Sequence, residues 1–228
     1  MHSKICIAFA IVATSFACAS AKARVKMGEL NSALAQSTGL DGDPLEATPV
    51  EYEQTGKPEY DQFFQSSARL QAGLVVSNAL VDALTKNLKS YAMSYVAANA
   101  TDDSVKQLLA GRTADSLTAD EALAVLKLQK THGGLSDDES KFAARTGANT
   151  LQTGLYMGES VKATQTLIDT GKTLSGKVKT DFVGLDATKA PGVASALSST
   201  ATNLSGAATS APLLAKQLIR LGEGISSL

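Results

Sequence analysis

The sequence predicts an all-α fold, an elongated helical bundle built on two long antiparallel helices with shorter accessory helices. Three observations predict it: apolar residues recur at helical spacing over long stretches, a similar helix-start signal occurs twice, and the alternating patterns typical of strands are nearly absent. The bundle is expected to form one domain over residues 59–228, because a chain of this size is long enough for one sizeable core.

The first long helix is predicted over residues 60–98. Its candidate core positions follow one another at alternating steps of four and three, and all but two serines among them are apolar. These positions are Phe63, Ser67, Leu70, Leu74, Ser77, Val81, Leu84, Leu88, Tyr91 and Tyr95. At about 1.5 Å per residue the helix would be close to 60 Å long, which is too long for a compact globule.

Two shorter helices are predicted next. Thr101 is a candidate cap for a helix over residues 102–111, and Thr118-Ala-Asp-Glu121 is a capping box in front of an apolar run. A second capping box, Ser136-Asp-Asp-Glu139, follows directly and opens the second long helix, predicted over residues 137–182. The repeated box predicts where both helices begin.

The second long helix contains five interior glycines, and each costs roughly 0.5–1 kcal/mol relative to alanine. They are Gly147, Gly154, Gly158, Gly171 and Gly176. The spacing of Gly154 and Gly158 resembles the small-xxx-small pattern of closely packed helices, so we expect this stretch to pack tightly on the first long helix. A break near Gly154 or Gly171 is the alternative.

The last third of the chain is rich in Ala, Ser, Thr and Gly. Pro191 and Pro212 stand where first helical turns could begin, which predicts two further helices. The same small residues are also compatible with a segment over 189–210 that orders only on a partner.

Residues 1–23 have the three parts of an export signal: Lys4 near the start, an apolar run from Ile5 to Ala13, and small residues at the end. The apolar run falls short of the roughly 20 residues that a membrane-spanning helix needs. We therefore expect residues 1–17 to be a signal peptide that is removed on export.

Ser15-Phe-Ala-Cys18 resembles the bacterial lipobox, in which small residues precede a cysteine that is acylated and becomes the mature N-terminus. This resemblance implies that Cys18 is the lipid attachment site of a lipoprotein, and Ala19 after it resembles the outer-membrane class. The alternative is a soluble protein cut at one of three A-x-A sites. These are Ala17-Cys-Ala19, Ala19-Ser-Ala21 and Ala21-Lys-Ala23.

Residues 18–58 are predicted to form the anchor and a flexible tether, because Gly, Pro and acidic residues collect there without periodicity. Asp41-Gly-Asp43 within it lacks the rest of a calcium-loop pattern, so we interpret it as a solvated acidic turn.

Composition excludes several classes of site. Cys6 and Cys18 are the only cysteines, and only His132 remains once the signal is removed, so a Cys/His zinc site is excluded and no metal or cofactor is predicted. His132 stands before two glycines and is interpreted as a helix end. A formal net charge of −1 without a basic stripe argues against binding to nucleic acid.

These observations predict a non-enzymatic cell-envelope lipoprotein, exported to the bacterial outer membrane or periplasm, that acts as a membrane-tethered scaffold or protein-interaction module. Its partners would be the membrane and an unidentified envelope protein. A homo-oligomer stays open, because the apolar seam could be covered within one chain or between chains.

Two alternative functions would use different properties of the protein. A secreted pore-forming or membrane-remodelling protein is suggested by the long hairpin, which resembles alpha-helical toxins in overall layout only. A carboxylate-based enzyme would use Asp102-Asp103 or Asp137-Asp138-Glu139. Acidic residues also collect at helix starts for the helix dipole, and we prefer that interpretation of both groups.

Overall fold

The computed structural model describes residues 21–228 and is almost entirely helical. Two short strands pair near the N-terminus, and short 3-10 helices lie at Met27–Glu29, Ala114–Ser116 and Gly184–Lys189. In chain order the elements are β1 Ala21–Arg24, α1 Ser32–Ala35, α2 Pro44–Ala47, β2 Glu51–Gln54, α3 Pro58–Ala98, α4 Asp103–Leu109, α5 Ala119–His132, α6 Asp137–Asp181 and α7 Ala190–Ser226.

The predicted all-α elongated bundle is confirmed, but three long helices form it instead of two. α3 runs antiparallel to α6, since Phe63 lies beside Gly171 and the ring of Tyr91 contacts that of Phe142. α6 in turn runs antiparallel to α7. The two separate helices predicted for the last third are a single helix of 37 residues. Pro212 lies inside that helix and does not start a new one.

α3 uses the predicted stripe as its core face. Every stripe position from Phe63 to Leu88 is buried, and Tyr91 and Tyr95 are partly buried. Ser67 and Ser77 are buried within this face, and their Oγ atoms have no hydrogen-bond partner among residues 21–228. Unpaired buried hydroxyls disfavour the folded state, so the apolar neighbours of these serines must hold α3 in place.

α6 and α7 pack with their backbones in direct contact where glycines face the other helix. A Cβ atom on Gly147 would lie 2.9 Å from the backbone nitrogen of Ser226, and one on Gly222 would lie 2.5 Å from that of Leu151. Gly154 would meet the backbone nitrogen of Ile219 at 2.8 Å. Only glycine permits this approach. The predicted close packing therefore occurs, but against α7.

The expected partner of these glycines, α3, meets only one of the five. A Cβ atom on Gly171 would lie 3.0 Å from the ring of Phe63 on α3, whereas one on Gly158 or Gly176 would meet nothing within 4 Å. α6 continues through Gly154 and Gly171 without the break offered as the alternative. The prediction of α3 as the packing partner was wrong because sequence spacing does not give the rotation of a helix about its axis.

The buried face of α6 is built largely from hydroxyl side chains. Thr146, Thr153, Ser160 and Thr164 are buried, and each donates its hydroxyl hydrogen to the backbone carbonyl four residues earlier, over 2.7–3.0 Å. Because each hydroxyl is satisfied within its own helix, these small side chains can be buried without a partner from another element.

Both predicted capping boxes are present. The Thr118 hydroxyl accepts from the backbone N–H of Glu121 over 3.3 Å, and the Glu121 carboxylate accepts from the backbone N–H of Thr118 over 2.7 Å. Ser136 and Glu139 form the second box in the same way. The cap predicted at Thr101 is one residue too early, because the Asp102 carboxylate accepts from the first backbone N–H groups of α4.

Residues 21–57 differ from the flexible tether predicted for 18–58. β1 and β2 pair antiparallel, with Ala21 opposite Gln54, and the connection between them packs on α3. Its apolar side chains form a second small core with α3, made of Val25, Leu34, Leu45, Val50, Ala68, Ala72 and Val76. Four well-spaced apolar residues suffice for this packing, and they are easily overlooked among many polar residues.

Replacing Gly222 with alanine is expected to destabilise the protein by about 1–3 kcal/mol, because the added methyl group would overlap the backbone of Leu151. Gly158→Ala is the matched control on α6. It adds the same group into open space and should stabilise by about 0.5–1 kcal/mol. Urea unfolding followed by circular dichroism measures both, and equal effects of the two substitutions would contradict the close contact.

Glu121→Gln is expected to give a pH-dependent loss of stability. A hydrogen bond from Arg112, and then one from the backbone of Thr118, lower the pKa of Glu121 from 4.5 to about 2. The ionised carboxylate therefore stabilises the fold above pH 4.5, and this contribution is lost as the pH falls through 2. Since Glu121 is partly exposed, we expect a difference of at most about 1 kcal/mol at pH 6. Unfolding of the wild-type protein and of Glu121→Gln from pH 6 to pH 2.5 measures it, and a difference that stays constant would count against this assignment.

Candidate interaction surface

The antiparallel pair α3 and α6 leaves a groove along one side of the bundle. The N-terminal segment fills the part nearer the middle of the molecule, and the part between the start of α3 and the end of α6 stays open. The groove therefore consists of a filled section and an open section of the same two helices.

Leu34 is the main side chain in the filled section. It is fully buried, and its methyl group would lie 3.5 Å from a Cβ on Gly73, close to the sulfur of Met157. Hydrogen bonds hold the backbone beside it: Thr38 donates to the carbonyl of Arg145 over 3.1 Å, and Thr153 is 3.5 Å from the carbonyl of Ala33. A short helix with one leucine is thus enough to occupy this groove.

The open section has a volume of about 640 Å³ and an apolar floor. Its apolar lining consists of Phe63 and Leu174, which are almost completely buried, and Leu167, which is partly exposed. The rims are polar: α3 contributes Glu59, Gln62 and Ser66, and α6 contributes Thr166, Asp169, Thr170, Thr173 and Lys177. The open section is thus apolar at its base and polar at its edges.

An aromatic cluster closes the groove at the start of α3. Tyr60 is fully buried and its hydroxyl is 2.9 Å from a carboxylate oxygen of Asp181. Its ring meets that of Phe182 edge to face with 5.1 Å between centroids, and the ammonium of Lys57 lies 5.1 Å from the Phe182 ring centre. Burial raises the pKa of Tyr60, and the hydrogen bond with Asp181 raises it further. The hydroxyl is therefore a fixed donor that joins α3 to α6.

The sequence-predicted lipid site, Cys18, and the signal peptide over 1–17 lie outside the described residues. His132 is the last residue of α5 and is exposed, in agreement with its interpretation as a helix end. The two acidic residues of the turn near residue 42 have separate local roles: Asp43 caps α2, and Asp41 is within 3.8 Å of Lys86.

The candidate catalytic carboxylates occupy helix starts. Asp102 caps α4, and hydrogen bonds from the backbone N–H groups of Val105 and Ser104 lower its pKa. Asp103 pairs with Lys106 over 3.1 Å. Glu139 is buried within its capping box and also accepts a hydrogen bond from Gln129 over 2.7 Å. Through these contacts Asp102, Asp103 and Glu139 each stabilise the start of a helix.

The open section of the groove was not predicted from the sequence. Its lining residues come from two helices that are about 100 residues apart along the chain, and most of them are hydroxyl or charged residues typical of any solvated helix face. The spacing of Glu59, Gln62 and Ser66 at three and four residues was the available signal, but it does not distinguish a rim from an ordinary exposed face.

Tyr60→Phe is expected to destabilise the protein by about 1–3 kcal/mol, because it removes a buried hydrogen bond to a carboxylate and keeps the ring packing. Asp181→Asn is the matched control, since its amide oxygen still accepts from Tyr60, and we expect a smaller loss. Urea unfolding of both variants measures the effect, and an unchanged stability of Tyr60→Phe would show that the hydroxyl does not join the two helices.

Among residues 21–228, no group of three or more His, Cys, Asp or Glu side chains is arranged to hold a metal ion. Within the same residues, no helix combines the length and the apolar character needed to cross a membrane. Comparison with protein-family models, with curated proteins and with solved structures finds no match to this chain.

Proposed function

We propose that this protein is a non-enzymatic lipoprotein of the bacterial cell envelope, anchored through acyl chains on Cys18, whose bundle binds another envelope protein. The observation that carries the interaction part is the open section of the α3–α6 groove, where Phe63, Leu167 and Leu174 lie between two polar rims. The anchoring part depends on Ser15-Phe-Ala-Cys18.

The position of β1 supports a cut upstream of Ala21. A cut before Cys18 or after Ala19 leaves β1 complete, whereas cuts after Ala21 or Ala23 would remove residues that pair with β2. The hairpin thus favours two of the four candidate cut sites, and these two differ in whether the mature protein keeps Cys18.

The chemistry of the groove favours a helical segment as its occupant. The rims run along two antiparallel helices, and a third helix laid between them would repeat the packing used throughout this bundle. Within the chain, α1 already occupies the same groove by inserting Leu34 between α3 and α6. A partner segment with one or two bulky apolar side chains and polar flanks would match the floor and the rims.

Intact mass tests the anchor. The wild-type protein recovered from membranes of a bacterial host is expected to begin at Cys18 and to carry diacylglycerol and acyl groups, and Cys18→Ser should lose them. A bare chain beginning at Ser20 would contradict the lipid anchor. It would favour the alternative of a secreted helical protein, and leakage of dye from liposomes would then test pore formation.

Site-specific photo-crosslinking tests the groove. A photoreactive amino acid in place of Thr170, on the rim, is expected to capture one defined envelope protein in living cells. The matched control places it at Thr202, an exposed hydroxyl residue on α7 outside the groove. Capture of the same proteins at both positions, or at neither, would contradict the groove as the interaction surface.

A further inference from the structure

We infer that the anchored bundle stands on the membrane with the end that contains the start of α3, the end of α6 and the start of α7 held against the lipid headgroups. This end is called the hairpin end below, because the β1–β2 hairpin leads to it. The inference rests on the proposed acylation of Cys18 and goes beyond it, since an anchor alone fixes no orientation.

The first step is the short distance between the anchor and the fold. Three residue steps separate Cys18 from Ala21, the first residue of β1. At roughly 3.3–3.6 Å per residue, the chain spans at most about 10–11 Å whatever its conformation. The folded protein therefore begins within about one headgroup layer of the acyl chains. A 41-residue tether over 18–58 would have allowed any orientation, and the packing of residues 21–57 removes that freedom.

The second step is that the hairpin is fixed to α3. Ala21 is paired with Gln54, and the turn after β2 is held by Asp61, whose carboxylate accepts from the hydroxyl of Thr55 over 2.8 Å and from the backbone N–H of Gly56 over 3.1 Å. The strand pair is therefore coupled rigidly to the first turn of α3.

The third step is direction. From Ala21 the chain runs to Val25, which shares a small core with Ala68 and Ala72 in the third and fourth turns of α3. Ala21 lies opposite Gln54, four residues before α3 begins at Pro58. Ala21 therefore lies close to the start of α3, and Cys18 is at most about 10–11 Å from it. The anchor is thus displaced towards the hairpin end.

The surface at this end suits a lipid headgroup layer. Val183 follows the last turn of α6 and is 63 % exposed, the most exposed large apolar side chain of the described residues. Lys57, whose ammonium lies over the Phe182 ring, and Lys179 in the last turn of α6 lie at the same end, together with Glu59 and Asp61 in the first turn of α3. The opposite end, with α4 after the last turn of α3, lies about 60 Å away, since α3 has 41 residues at about 1.5 Å each.

Energy transfer to a membrane dye tests this orientation. Lipidated protein is reconstituted into phosphatidylcholine vesicles that carry an acceptor dye on the headgroup, with a donor dye attached at Val183→Cys or at Gln107→Cys on α4. Because Cys6 is removed and the Cys18 sulfur is acylated, the introduced thiol is the only free one. Transfer is expected to be several-fold stronger from the Val183→Cys label than from the Gln107→Cys label.

An insertion of about 20 Gly and Ser residues between Ser20 and Ala21 is the control, because it adds roughly 25 Å of flexible reach. With it, the difference between the two labels should shrink. Equal transfer from both labels without the insertion, or stronger transfer from Gln107→Cys, would overturn the orientation. Intact mass separates this from failure of the anchor: bare protein overturns both proposals, and lipidated protein with equal transfer overturns the orientation alone.

Discussion

The bundle depends on the direct backbone contact between α6 and α7. Glycines at 147, 154 and 222 place the two helices closer than any side chain would allow, and the contact continues through the small residues of α7. α6 carries a hydroxyl face instead of a leucine face and would bury little apolar surface alone. Its close approach to α7 supplies the dense van der Waals contact that replaces bulky side chains.

α3 packs against the α6–α7 pair in a different way. Its face carries Phe63, Leu74, Leu84 and Leu88, and it packs on α5, α6 and α7 with its backbone farther from α6 than the α7 backbone is. The wider spacing of α3 and α6 leaves a groove between them. Part of the groove is filled by the chain's own Leu34, and the remainder stays open above Phe63. The α3 face has large side chains where the α6–α7 contact has glycines, and this difference thus leaves room for the candidate interaction surface.

The sequence predicted those elements whose signals are local. The apolar stripe of α3 and the capping boxes at Thr118 and Ser136 depend on neighbouring residues, so their bounds were predicted closely. α7 was divided in two because Pro212 is a strong local signal that tertiary packing overrides. The groove and the partner of Gly154 depend on how helices are rotated against one another, which no local pattern gives.

The filled part of the groove also has a consequence for the order in which the molecule assembles. The seat of the N-terminal segment consists of α3 and α6 together, and Thr153 meets the carbonyl of Ala33 across 120 residues of sequence. Contacts between such distant residues close a long loop, which slows their formation. The contacts of the N-terminal segment with α6 therefore cannot form before α6 has been synthesised, whereas its contacts with Ala68, Ala72 and Val76 of α3 close a much shorter loop.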